Sequence, residues 1–190
     1  MVQRNSIDIM GYLTASSIAL LGFKSFGDNI MLSENSIFYR SENIEIGNNC
    51  RIDDYCILTG TIKIGDNCHI AANTIISGGR QSSVVIEDNV TMAYGCIVLS
   101  RSNDYLGIYP PGLNAIEKNE LELESSTYIE ENCILGMRSS VVPGLRLRRG
   151  TAIGAHSLLT KSTLEWGVYV GSPARRVKQR SQFFLKSLKI

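Results

Sequence analysis

The side chains whose type and setting stand out for moving a proton or forming a covalent bond are two histidines (His69 and His156), five cysteines, and the acidic strings Asp53-Asp54 and Ser102-Asn103-Asp104. No C-x-x-C pair occurs, so the cysteines offer neither a metal site nor a redox couple, and they read as small inward hydrophobes. Asp53 and Asp54 read mostly as turn residues, because short acidic side chains bond to nearby backbone at corners. His69 stands just before Ile70 at the edge of an apolar step, and His156 lies between Ala155 and Ser157.

The elements that must hold these residues follow from a period of six. Ile46, Ile52, Leu58, Ile64, Ile70 and Ile76 are six apart, and the step resumes at Ile86, Met92 and Val98 after four inserted residues around 79–83. It returns at Ile129, Leu135, Val141, Leu147, Ile153 and Leu159, with a looser early set at Phe26, Leu32 and Phe38. Neither an α-helix nor a simple strand has that period, whereas a three-sided coil with one aliphatic residue per side does. Cys50, Cys56, Cys68, Cys96 and Cys133 all stand four residues after a marked aliphatic position, in a small inward slot. The fold predicted is an all-β solenoid over about 26–164, interrupted by a long loop at 99–128. A helical cap precedes it at 1–25 (helix from Ile7 to about Leu21), and a hairpin and C-terminal helix follow at 165–190.

Composition excludes several classes of partner. With 19 Lys+Arg against 18 Asp+Glu in 190 residues, there is no basic footprint for nucleic acid. Charged residues at 19% and hydrophobic residues at 44% exclude bulk disorder, and 22 Ile with 17 Gly favour short strands. No apolar run reaches the ~18 residues that span a bilayer, and no export signal is recognisable, so the expected compartment is the cytoplasm, with no membrane partner.

The repeat resembles the hexapeptide-repeat, left-handed β-helix acyltransferases, and Gly171-Ser172-Pro173-Ala174-Arg175 resembles the G-x-P-A-[KR] hairpin of their acetyl-CoA-dependent members. With IEENCILGMRSSVVPG and TAIGAHSLLTKS upstream, the ordering is that of the sugar and polysaccharide acetyltransferases. The resemblance implies a homotrimer and acetyl-CoA as co-substrate, with no metal. It places Met137 and Ala155 against the pantetheine arm, Thr160 and Lys161 along the arm and adenosine, and Arg175 and Lys178 near the CoA phosphates. The other reading of Lys161, Arg175, Arg176 and Lys178 is a solvated basic end.

In the O-acetyltransferase branch the long loop carries a catalytic histidine. Here the corresponding position is Leu106. Hydroxyl acceptors need a base, while a sugar amine is already largely neutral near pH 7, so the loss tilts the reading towards N-acylation. SNDYLG, with Leu21-Gly22-Phe23-Lys24, Arg51-Ile52-Asp53-Asp54, His69-Ile70-Ala71-Ala72 and Gly78-Gly79, resembles a narrower branch. Those enzymes acylate nucleotide-linked amino sugars, such as dTDP-4-amino-4,6-dideoxyglucose, for O-antigen or capsule synthesis. On that resemblance Asp104 accepts the amine's protons, His69 is the alternative base, and Tyr105, Gly78 and Gly79 shape the sugar pocket. A backbone amide near Gly136 or Gly95 is the candidate for stabilising the oxyanion. The alternatives are a sugar or polysaccharide O-acetyltransferase using His69 or His156, and a catalytically inactive β-helix scaffold.

Overall fold

The computed structural model describes residues 11–107 and 122–186. Ile44–Ile46, Arg51–Ile52 and Ile57–Thr59 form three short strands in succession, and each pairs in parallel with the equivalent strand of the next coil. Ile46 is opposite Ile64, Ile52 opposite Ile70 and Leu58 opposite Ile76, so one coil takes eighteen residues. The result is a three-faced parallel β-helix. The first and third faces have six strands each, and the second has eight because the closing hairpin continues it.

The six-step residues point inwards as expected. From Leu32 to Leu159 they are buried, apart from half-buried Phe38, and all five cysteines are buried with them. Phe26 is the exception: it lies in the first coil, which no further coil covers among the described residues, and is exposed. Burial pushes the thiols of Cys56 and Cys133 up, to about 11 and about 12, so they stay protonated at neutral pH.

Corners explain the residues between the aliphatic steps. Asn49, Asn67, Asn89 and Asn132 occupy one corner in successive coils with φ of 55°, 58°, 58° and 62°, a left-handed conformation that Asn tolerates better than most side chains. Their amides ladder along the axis, Asn29 to Asn49 at 2.9 Å and Asn49 to Asn67 at 3.2 Å. The neighbouring Asp66 and Asp88 carboxylates each accept a backbone N–H from the preceding coil.

Both ends differ from the expectation. The N-terminal helix runs only over Ala15–Leu20, because Thr14 caps it by accepting the Ser17 N–H, while Tyr12 bridges to Ser33 in extended conformation. The stretch expected to be helical before Gly11 lies outside the described residues. Ile18 joins the core, so the helix closes that end of the stack. At the other end the chain forms the hairpin Gly167–Gly171 with Ala174–Gln179, then a single 3-10 turn, Phe183–Lys186, where a C-terminal helix was expected. Arg180 fixes this tail by donating to the carbonyls of Asn132 (2.7 Å) and Gly150 (3.0 Å). Among the described residues no helix is long and apolar enough to cross a membrane.

Candidate functional site

The sequence-predicted residues gather at three places. The first is on the second face. Arg51 and His69 occupy the same outward position in adjacent coils, and Asp53, two residues after Arg51, turns its carboxylate back between them. Its Oδ2 lies 2.8 Å from His69 Nε2, and its Oδ1 accepts from Arg51 Nε (2.5 Å) and from the Tyr12 hydroxyl (2.7 Å). Burial alone would raise the Asp53 pKa, but the hydrogen bonds from His69, Tyr12 and Arg51 outweigh it and hold the carboxyl below its ordinary range. Burial and the same carboxylate push the Tyr12 hydroxyl up. Asp53 therefore does more than shape a turn, contrary to the reading from sequence. Its partnership was legible only by noting that Arg51 and His69 are one coil apart. Asp54 fits the turn role better, accepting from Ser33 and from Asn35 at the neighbouring corner.

The second place joins the two irregularities of the repeat. The long excursion leaves the third face through Arg101–Asn103, which pairs antiparallel with Glu122–Glu124 on the return. The Glu124 carboxylate then accepts the backbone N–H groups of Arg80 (3.0 Å) and Gln81 (2.5 Å), inside the four-residue insertion. The insertion is thus the seat of the loop's base. Burial opposes ionisation of Glu124, yet the amides of Arg80 and Gln81 dominate and lower its pKa. Gly78 and Gly79 lie beneath this seat: a Cβ on Gly79 would come within 2.5 Å of the Glu124 carboxylate, and one on Gly78 within 2.2 Å of the Thr61 carbonyl oxygen. Beyond the hairpin, Asp104 Oδ1 accepts the Leu106 N–H at 2.7 Å, a tight turn that leaves Tyr105 88% exposed. Glu124 had no signal in the sequence, since nothing in its spacing announces a partner more than forty residues earlier. Residues 108–121 of the loop expected at 99–128 lie outside the described residues.

The third place is the end of the prism. Met137 and Ala155 sit at the same corner in consecutive coils, drawn together because Gly136 has no Cβ to strike the Ala155 nitrogen, and His156 N–H donates to the Met137 carbonyl (2.8 Å). A groove of about 250 Å³ beside the hairpin is lined by Leu159, Lys161, Ser162, Tyr169, Ala174, Arg175 and Arg176. Thr160 adjoins it and is exposed. Lys178 is not among the lining residues; a bulge between Val168 and Tyr169 shifts the pairing so that Arg176 faces Tyr169. The amides of Gly136 and Gly95 already donate to Ile153 (2.8 Å) and Ala72 (2.9 Å), so neither is available to an oxyanion. Among the described residues, no three His, Cys, Asp or Glu side chains gather as a metal-holding group.

A parallel coil built from hexapeptides, broken by a short insertion and a long excursion and closed by a basic hairpin, defines the class of hexapeptide-repeat transferases. Residues 43–78 match the family model described as bacterial transferase hexapeptide (six repeats). Residues 62–100 and 127–172 match the hexapeptide repeat of succinyl-transferase. Over 182 residues, 93% of each chain, the sequence is 35% identical to dTDP-4-amino-4,6-dideoxy-D-glucose acyltransferase of Escherichia coli. Among solved structures it is similar to AntD, an N-acyltransferase from Bacillus cereus in complex with dTDP and 3-hydroxybutyryl-CoA. There the TM-score is 0.86 and the identity 31%, over 95% of this chain and 99% of that one. A variant of AntD holding dTDP-4-amino-4,6-dideoxyglucose and coenzyme A gives a TM-score of 0.89 at 30% identity, over 94% of this chain and 95% of that one. The chain belongs to the hexapeptide-repeat acyltransferases, in the branch represented by these two enzymes, and its solenoid is a left-handed β-helix.

Proposed function

We propose that this protein transfers an acyl group from coenzyme A to the amine of a dTDP-linked dideoxyamino sugar, in the supply of O-antigen or capsule precursors. One observation carries the reading: the likeness to two enzymes of this chemistry spans coils, insertion, loop and closing hairpin together, not the repeats alone. In the reaction the amine nitrogen attacks the thioester carbonyl, a C–N bond forms, and the C–S bond breaks as CoA thiolate departs. The surplus amine proton leaves the nitrogen and ends on the thiolate. Asp104 and His69 are the groups proposed to take it on the way. Tyr105 and the Gly78-Gly79 corner are proposed to shape the sugar pocket. Met137, Ala155, Thr160, Lys161, Arg175 and Lys178 are proposed to receive the CoA arm and phosphates. The activity is expected in the cytoplasm, where acetyl-CoA is available as donor.

Incubation of the purified chain with acetyl-CoA and dTDP-4-amino-4,6-dideoxyglucose is expected to give an amide that survives mild alkali. An alkali-labile ester on a sugar hydroxyl instead would establish O-acylation, and no product with no acetyl-CoA binding would establish a scaffold.

The functional unit is proposed to be a trimer, with sites in the grooves between adjacent prisms. Support comes from the outward positions of the third face, where Ile37, Ile57, Ile75 and Ile97 stand in one register with Leu158 further along. A ladder of branched apolar side chains on the outside of a solenoid has no internal use and suits contact with another copy. Light scattering is expected to give three times the chain mass of 20.9 kDa. Ile57→Asp, which places a charge in that ladder, should shift the protein to monomers, and a variant that stays trimeric would remove the third face from the interface.

A further inference from the structure

Asp53 has both carboxylate oxygens occupied, and only one of its partners is a group that can exchange a proton near neutral pH. Its pairing fixes which nitrogen that group presents. An ionised carboxylate only accepts, so the His69 nitrogen 2.8 Å from Oδ2 must carry a hydrogen. That nitrogen is Nε2. Neutral His69 therefore keeps its lone pair on Nδ1, which no described residue hydrogen-bonds, and the ring is 40% exposed on the outer face of the coil.

The rest of the cluster resists alternatives. Arg51 holds Oδ1 from the same coil, and Tyr12 reaches it from the N-terminal segment, so the carboxylate cannot rotate without breaking two further hydrogen bonds. Arg51 also lies over the Tyr12 ring, 5.6 Å from its centroid. The following coil presents Thr91 beside His69, which is uncharged. Among the described residues, the charged and titratable groups of this cluster are thus Arg51 and Asp53 from the preceding coil, with Tyr12 reaching Asp53 from the N-terminal segment.

We propose that Asp53 is a positioning residue for acyl transfer: it locks His69 in the Nε2–H tautomer, so that Nδ1 takes the proton of the attacking sugar amine. This rests on the N-acyltransferase reading above. As the N–C bond forms, the amine N–H pair collapses onto nitrogen, and the proton moves to Nδ1. The imidazolium so formed is stabilised through Nε2–H by Asp53, and the proton then passes to the departing CoA sulfur.

The test combines kinetics with spectroscopy. With only two histidines in the chain, ¹⁵N chemical shifts of the wild-type protein can assign the His69 tautomer against a His156→Gln reference. Hydrogen on Nε2 and a bare Nδ1 is expected; a dominant Nδ1–H form overturns the proposal, whether or not any variant folds. In Asp53→Asn, kcat should fall about tenfold or more, because general-base assistance is lost with the tautomer and the charge. KM for acetyl-CoA should hold, because neither Asp53 nor His69 lines the groove beside the hairpin. Unchanged kcat in a folded variant overturns the proposal. Absence of amide product from the wild-type chain overturns the acyl-transfer reading itself, and the tautomer measurement still reports separately on the Asp53–His69 pair.

Discussion

Gly78→Ala is expected to cost about 3 kcal/mol of folding stability, as overpacking against a rigid neighbour does, and to lower Tm by roughly 6–12 °C for a chain of this size. The neighbour is backbone. A Cβ at Gly78 would lie 2.2 Å from the Thr61 oxygen and 2.6 Å from its nitrogen, and Thr61 is held by its own donations to Gly79. Gly60 in the preceding coil, with φ of +80°, is hemmed in likewise: a Cβ on it would come 2.2 Å from the Gly78 carbonyl oxygen. Gly79→Ala should behave differently. Its new methyl meets the Glu124 carboxylate and the Ser82 hydroxyl, side-chain atoms that can swing away. The expected result is nearly wild-type melting with a displaced loop base and reduced turnover. Circular dichroism melts and acyl-transfer rates on the two variants separate the roles; equal Tm losses would show that the loop seat is as rigid as the coil.

That contrast illustrates which parts of this molecule its sequence makes legible. The coil register was readable because each aliphatic step is a local event repeated many times, and a six-residue spacing has no competing helical or strand interpretation. The cysteines followed from the same register. What the period leaves silent is contact between residues at unrelated positions. Glu124 reaches Arg80 and Gln81 across 44 and 43 positions, and Asp53 reaches Tyr12 across 41. Such pairs depend on how an insertion and an N-terminal segment fold over the outside of the coils. The Asp53–His69 pair is an intermediate case. It is one coil apart and visible once the sequence is stacked in rows of eighteen, but aspartate at a corner has so strong a turn preference that spacing alone reads it as a turn residue. The helix boundary differs for another reason: the apolar pattern over 7–21 suggests a longer helix, while capping by Thr14 starts it at Ala15.

Electrostatics at the closing hairpin supports the second large effect. Several arginines lie near this end, but most are occupied. Arg146 and Arg148 pair with Glu130, with Arg146 also over the Tyr128 ring, while Arg149 pairs with Glu131 and lies over Trp166. Lys161 and Arg175 are different: both line the groove beside the hairpin, and among the described residues no carboxylate lines it with them and the Arg175 guanidinium donates to the adjacent Ala174 carbonyl alone. A phosphate entering there would meet two cations that need not release an existing partner. Each charge-assisted hydrogen bond lost should cost about 1.5 kcal/mol or more. Lys161→Ala combined with Arg175→Ala is therefore expected to raise KM for acetyl-CoA about a hundredfold, with kcat at saturation nearly unchanged, because these contacts are the same in ground and transition states. Arg148→Ala, which removes only a pair with Glu130, should leave KM where it was. The decisive comparison uses S-acetylpantetheine, which has the thioester and arm but no nucleotide phosphates. Wild type should strongly prefer acetyl-CoA over it, and the double variant should lose most of that preference. A double variant that retains the preference would place the phosphates elsewhere on the protein and return Lys161 and Arg175 to the status of a solvated basic end.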